Sequence, residues 1–334
     1  MRSLCGAAIL AIAGAAACAR TVTSTPVRTS TPALTSTSTP TSTLTPADEP
    51  IEVAVTIDDL PRHGQDVPGV TRLGIHEAVL AALKKHGVPA VYGFVNGEKL
   101  KAHPEDRAAL KAWVDSGYPL GNHTYSHPDL TKMTLDAYLA DIAANESLLR
   151  ELMGDARERE WKVFRYPFLR EGTDMASRAR IREHLASRGY RIAQVTIDFF
   201  DWAYNNPYAR CLAKNDERAL KALKESWLDN AQVFLRWSVR AARDLFGRPI
   251  KHVLLLHVGP YDAVLLDEML ASYEKLGVKW ISLDAALGDP IYATEPKEPK
   301  SIGGNLLNQV RRARDVKIAP QPVPPEELLD ALCR

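Results

Sequence analysis

Three groups of residues in the 334-residue chain have the types and spacing that chemistry requires. Asp58 and Asp59 are adjacent carboxylates at the end of the apolar-alternating stretch Ile51, Val53, Val55, Ile57. His123 and His127 are two imidazoles four residues apart, and His257 closes the apolar run Leu254, Leu255, Leu256. Carboxylates and imidazoles are the usual oxygen and nitrogen ligands of a divalent ion, and the same groups serve as general bases and acids. Each group alone has a bland alternative. Paired aspartates also make turns and helix caps, and a histidine ending an apolar run is also a hydrogen-bonded core residue. The histidine pair stays open between a metal pair and two loop residues. Pro128 after His127 disfavours a helix there, so the two rings would converge from a loop.

Two further clusters have the same setting. Arg165-Tyr166-Pro167 follows the apolar pair Val163-Phe164, and Asp198 to Trp202, including Asp201, follow a β-type stretch at 192–197. Taken singly, Arg165 is a turn residue and the aspartates are loop solvation. Five polar clusters, each just after the C-terminal end of an expected strand, would meet on the face where β/α barrels assemble active sites.

The elements that must position them alternate. Strands are expected at 51–57, 91–95, 118–120, 163–164, 192–197, 253–256 and 280–283, with period-2 patterning or short apolar runs. Helices are expected at 71–86, at 104–115 with Pro104 in the first turn, and from a Thr134 cap to Gly154. A long helical segment at 216–246 closes with Gly247 and Pro249 and reads as a packing helix, with cleft covering as its alternative. Strand and helix in alternation argue a parallel α/β fold, most simply a barrel.

In order and combination the clusters resemble the five motifs of the polysaccharide deacetylase family, the NodB homology domain or carbohydrate esterase family four, over roughly 51–287. The family's T-F-D-D-G-P is matched by Thr56-Ile57-Asp58-Asp59-Leu60-Pro61, and H-[ST]-x-x-H by His123 to His127. R-x-P-Y-G corresponds to Arg165-Tyr166-Pro167-Phe168-Leu169, D-x-x-D-W to Asp198 to Trp202, and L-x-x-H to Leu254 to His257. Leu60 and Leu169 replace family glycines and Phe168 replaces a tyrosine, which puts loop shape and sugar contacts in doubt.

The resemblance implies a distorted (β/α) barrel and a metal-dependent hydrolase that removes N- or O-linked acetyl groups from a cell-envelope or extracellular polysaccharide. By resemblance, Asp59, His123 and His127 hold a divalent transition metal, with Zn²⁺ expected and Co²⁺, Ni²⁺ or Mn²⁺ also suited to such a mixed ligand set. Asp58 resembles the catalytic base and Arg165 its partner; His257 resembles the acid and Asp201 the residue that orients it. A substrate pocket is expected from Tyr166, Pro167, Phe168, Trp202 and Leu255, with the Phe168 backbone N–H at the oxyanion and Trp202 and Leu255 around the acetyl methyl; core packing is the competing role of Leu255. His63 reads as a loop residue and 204–211 as a plain connection. A non-sugar amide hydrolase on the same fold, and a non-catalytic carbohydrate-binding lipoprotein, are the competing functions.

The N-terminus bears on location. Met1-Arg2, an apolar run from Leu4 and the ending Ala15-Ala16-Ala17-Cys18 read as a signal peptide (1–18) with a lipobox-like end. Residues 19–50 are a Thr/Ser/Pro-rich linker, 51–290 the deacetylase domain and 291–334 a C-terminal extension without an evident catalytic cluster. Expected partners are an acetylated carbohydrate and a membrane reached through a lipid at Cys18, placing the protein outside the cytoplasm in the envelope or periplasm. Forty-two basic against 41 acidic residues leave a net charge of +1, which favours no nucleic-acid partner, and no protein partner is expected. Of four cysteines, Cys211 and Cys333 fall in the folded part, either bridged or free.

Overall fold

The computed structural model describes residues 49–298 and 303–334, which lie in one compact unit running from Glu49 to Arg334. The expected signal sequence, the lipid site at Cys18 and nearly all of the Thr/Ser/Pro linker lie outside the described residues.

Among the described residues eight parallel strands form one sheet: β1 (Ile51–Leu60), β2 (Tyr92–Val95), β3 (Leu120–Asn122), β4 (Val163–Phe164), β5 (Arg191–Ile192), β6 (Ile197–Asp198), β7 (His252–His257) and β8 (Val278–Trp280). Their order is β5-β4-β3-β2-β1-β7-β6, with β8 paired to the first residues of β1. Helices connect the strands, and the sheet curls into a distorted (β/α) barrel, the expected fold.

The barrel opens where the sequence suggests a single strand. The stretch 192–197 is two short strands, one pairing with β4 and the other with β7, so the chain at 193–196 passes between the two edges of the sheet. Its residues from Ala193 to Ile197 are buried, which is why it reads as a strand, yet Ala193 N–H donates to Phe164 and Thr196 N–H to Val253, on opposite edges.

β1 is the axis of the fold, flanked by β2 and β7. Residues 53–60 are all buried, because a central parallel strand is covered on both faces. Its alternating pattern therefore marks a strand but not an exposed face; Ala54 and Thr56 are as buried as Val53 and Val55. The helix Arg72–Lys85 is capped by Thr71, Leu135–Ala144 by Thr134 and Glu217–Phe246 by Asp216, each side chain accepting a first-turn N–H. The helix expected from Thr134 to Gly154 is interrupted at Asn145. That buried side chain donates to Val95 O at 2.7 Å and accepts from Gly97 N–H at 3.1 Å, tying the end of β2 to the helix layer.

The long helix Glu217–Phe246 packs as expected. Phe234 meets Phe200, and Trp227 meets Phe199 edge to face at 5.1 Å. The stretch 204–211, expected as a plain connection, instead falls largely in a helix, Asn205–Ala213, and Cys211 in it is bridged to Cys333. Among the described residues the C-terminal extension carries, after the short helix Pro290–Ala293, the helices Leu306–Arg314 and Glu326–Ala331. No described helix is long and apolar enough to cross a membrane.

Candidate active site

All five polar clusters converge on one cavity of about 460 Å³ at the C-terminal ends of the strands. Asp58 and Asp59 come from β1, His123 and His127 from the loop after β3, Tyr166 and Phe168 from the segment after β4, Asp198 and Trp202 from β6 and beyond, and Leu255 and His257 from β7. Asp58 and His257 are register partners on adjacent strands, so the pleat itself sets the two groups side by side.

Arg165 organises the floor. It is 1% exposed, and its Nη1 lies 3.1 and 3.2 Å from the two Asp58 oxygens. Nη2 donates to Thr56 Oγ1 and Nε to the Ala193 carbonyl, while the guanidinium sits over the Phe94 ring. Burial pushes the Asp58 carboxyl up to about 6, against the opposing charges of Arg165 and His257. A carboxylate so placed is a stronger base than one in water.

Asp59 is held differently. Its backbone is left-handed (φ 70°), turning the side chain away from that of Asp58. Oδ2 accepts from His63 Nδ1 at 2.7 Å, while Oδ1 has no hydrogen-bond partner and lies 3.4 Å from His127 Nε2, 3.8 Å from His123 Nε2 and 3.4 Å from Lys99 Nζ. Burial opposes its ionisation, but Lys99, the His63 hydrogen bond and His127 together hold it well below the usual carboxylate range.

His123 is 2% exposed, and its Nδ1 donates to the Arg165 carbonyl at 2.8 Å, which leaves Nε2 with a free lone pair facing Asp59. Burial, and then His127, push its pKa well down, so the ring is neutral. This is the outer-sphere arrangement that ligating histidines use, one nitrogen fixed by a carbonyl and the other directed inward. The ligand atoms of Asp59, His123 and His127 lie within 4.8 Å of one another. An orphaned anionic oxygen facing two imidazole nitrogens fits a divalent metal.

The acid side is equally built. His257 donates from Nδ1 to Asp201 Oδ1 at 2.9 Å, and its backbone N–H donates to Asp201 Oδ2 at 2.6 Å. Asp201 is fully buried and burial raises it to about 7, with Asp262 hydrogen-bonded behind it. Asp198 caps its own turn by accepting from Phe200 N–H.

Of the expected pocket residues, Tyr166 and Leu255 are buried at the wall and Pro167 is buried beneath it. Phe168 and Trp202 are 56% and 46% exposed, two aromatic faces open to the cavity mouth. Phe168 and Leu169 both have positive φ (55° and 52°), so Leu169 takes up a left-handed position that a glycine would hold without strain.

Sequence reasoning missed several contributors. His63, read as a loop residue, bonds Asp59 and lies against His257 with ring centroids 4.8 Å apart. Asp141, from the helix Leu135–Ala144, receives Tyr125 N–H, Ser126 N–H and Ser126 Oγ–H, clamping the loop that carries both histidines. Lys99 also donates to the Asp59 and Arg62 carbonyls. His63 is within reach of sequence reasoning, four residues past Asp59; Asp141 is not, because no local pattern links it to the loop. The cavity also takes Gly304, Asn305, Asn308 and Gln321 from the C-terminal extension.

Residues 46–193 match the polysaccharide deacetylase family. Among curated proteins it is 31% identical over 151 residues to a peptidoglycan-N-acetylglucosamine deacetylase of Bacillus cereus, covering 45% of this chain and 46% of that one. It is 29% identical over 133 residues to a peptidoglycan-N-acetylmuramic acid deacetylase of Bacillus subtilis, covering 40% and 46%. The chain thus spans under half the length of either relative. A solved peptidoglycan deacetylase structure from Bacillus subtilis aligns at 18% identity and TM-score 0.46, over 71% of this chain and 90% of that one.

Proposed function

We propose that this protein is a metal-dependent deacetylase that hydrolyses acetyl groups on a cell-envelope polysaccharide. The observation that carries the reading is the division of the site into three separately wired parts. Asp59, His123 and His127 present a ligand set, Asp58 is paired to Arg165, and His257 is paired to Asp201.

A divalent ion of the zinc type, held by Asp59, His123 and His127, would polarise the acetyl carbonyl and make water acidic enough to attack at neutral pH. Asp58 accepts the proton of the attacking water as the new C–O bond forms. Arg165 keeps the carboxylate aimed and charged, at a cost in basicity that its burial restores. The Phe168 backbone N–H is the proposed donor to the oxyanion. As the tetrahedral carbon collapses, the C–N bond, or the C–O bond of an acetyl ester, breaks and the leaving atom takes a proton from His257 Nε2. The step requires the doubly protonated ring: Nδ1–H is engaged by Asp201, whose carboxylate supports the imidazolium, and Nε2–H is the proton given to the leaving atom. Acetate and the free amine or alcohol leave. Leu255 and Trp202 border the methyl group.

The names of the two curated relatives support peptidoglycan-type glycans as substrate, and the signal-like N-terminus supports export with lipid attachment at Cys18. The test is acetate release by the purified protein from a panel of acetylated glycans and small amides, with metal content measured on the same sample. Release from small amides alone would contradict the polysaccharide reading. Cys18→Ala should shift the protein from the membrane to the soluble fraction; unchanged fractionation would contradict lipid attachment.

A further inference from the structure

The C-terminal extension reaches the cavity through a built connection. Gly303, with φ 80°, lies so close to the segment after β4 that a Cβ there would stand 2.3 Å from the Leu169 carbonyl oxygen. Gly304 N–H donates to that same oxygen at 2.9 Å, and Leu306 N–H donates to Val195 at 2.7 Å. The extension is thus pinned to the Phe168–Leu169 turn and to the chain that crosses the barrel opening.

The helix Leu306–Arg314 is then locked from below. Leu306, Leu307 and Val310 pack against Trp237, Ala241 and Leu245 of the long helix. Gln309, fully buried, donates to Glu171 Oε1 at 2.7 Å and accepts from Arg178 at 2.9 Å. The returning chain is fixed by Trp237 Nε1–H donating to the Ala319 carbonyl at 2.9 Å. Both ends of the segment are therefore held by contacts that need no ligand.

What this frame holds against the cavity is a set of carboxamides. Asn305 caps the helix by accepting from Asn308 N–H at 3.0 Å, and its Nδ2 donates to Gln321 Oε1 at 3.2 Å. Asn308 Nδ2 donates to the same Gln321 oxygen. Among the described residues nothing pairs with Gln321 Nε2 or Asn308 Oδ1, so the wall keeps one unpaired donor group and one unpaired acceptor. That pair matches a hydroxyl or a secondary amide, each of which both donates and accepts. Among the described residues no lysine or arginine lines the cavity, whereas Asp58, Asp59 and Asp198 do, so a ligand bearing its own carboxylate is disfavoured.

We infer that residues 303–321 form a specificity wall of the active-site cavity, in which Asn308 and Gln321 hydrogen-bond the hydroxyl or acetamido groups of a neutral acetylated sugar. This rests on the deacetylase reading and narrows its substrate class. Phe168 and Trp202, exposed at the mouth, supply the apolar faces between which such a sugar ring lies.

The test uses the full metal-loaded chain and three variants, Asn308→Ala, Gln321→Ala and Gln321→Glu. The last keeps an oxygen to accept from Asn305 and Asn308 and exchanges the donor group for a charged oxygen, so the internal bonds of the wall are retained while the donor is lost, and the ester activity reports any effect of the added charge on the reacting centre. Substrates are an N-acetylglucosamine oligomer, an oligomer carrying free N-acetylmuramic acid, and 4-nitrophenyl acetate. For each variant kcat/KM on the neutral oligomer should fall about tenfold, as expected for one lost hydrogen bond of about 1.4 kcal/mol. The fall should come mainly through KM, and the ratio of oligomer to ester activity should fall with it. The native chain should also prefer the neutral oligomer to the carboxylate-bearing one. Parallel losses on oligomer and ester, no loss, or preference for the carboxylate-bearing oligomer would overturn the inference. Oligomer affinity by calorimetry separates this from the activity itself. Native protein that binds the oligomer but releases no acetate refutes the deacetylase reading, and the affinity difference of Gln321→Glu still decides the wall.

Discussion

Asp58→Asn is the most informative single change, because it separates two neighbouring carboxylates that a simple turn would treat alike. Asparagine keeps the size of the side chain and one oxygen that can accept from Arg165 Nη1, but it removes the charge facing a guanidinium that is 1% exposed. Breaking a buried ion pair by removing one partner costs about 3–5 kcal/mol. Here Arg165 retains Thr56 Oγ1 and the Ala193 carbonyl as acceptors, so about 3 kcal/mol, the lower end, is expected. Loss of a positioned base lowers turnover by about 10²–10⁴. Metal content should stay near the native level, because the unpartnered Asp59 oxygen and both imidazoles are untouched. Asp59→Asn should instead lose metal together with activity. The assays are acetate release, metal analysis and urea unfolding on purified proteins. If the Asp58 variant loses metal as completely as the Asp59 variant, or keeps activity within tenfold of native, the division of roles is wrong.

Three further outcomes follow from the same geometry. His257→Ala should retain metal and lower kcat by about 10²–10⁴, since only the proton donor is removed; metal loss on analysis would make it a ligand instead. Asp141→Ala, which touches neither metal nor substrate, should weaken metal binding by about 10–100-fold by freeing the loop that carries His123 and His127, and a metal titration indistinguishable from native would show that the clamp is dispensable. Replacing Cys211 and Cys333 together by serine opens a bridge between residues 122 apart and should cost about 2–4 kcal/mol, read as a lower urea midpoint with metal content unchanged.

The residues that do the proposed chemistry were legible because each lies at a strand end where a polar side chain interrupts an apolar run, and because barrel geometry gathers such ends. What was not legible depends on pairs distant in sequence. Asp141 clamps a loop 15 residues away, and Asn145 ties two strands, at Val95 and Asn122, from within a helix pattern. Neither shows a periodicity of its own. The stretch 192–197 has the composition of one strand, and only the opening of the barrel divides it. The helix Leu306–Arg314 follows two glycines and an asparagine and carries three arginines in nine residues, so its short apolar face, Leu306, Leu307 and Val310, becomes visible only against Trp237 and Leu245. Its pocket residues are neutral amides, a residue type that sequence reading assigns to surfaces rather than to sites.

The central claim is that Asp59, His123 and His127 hold a divalent ion on which deacetylation depends. The most direct measurement is acetate release from an N-acetylglucosamine oligomer by the native chain before chelation, after metal removal by a chelator and dialysis, and after addition of one equivalent of Zn²⁺ or Co²⁺. The account predicts activity at the start, loss below about 1% on chelation, consistent with removal of a group worth several kcal/mol of transition-state stabilisation, and recovery at one ion per chain. Undiminished release from metal-free protein would contradict it.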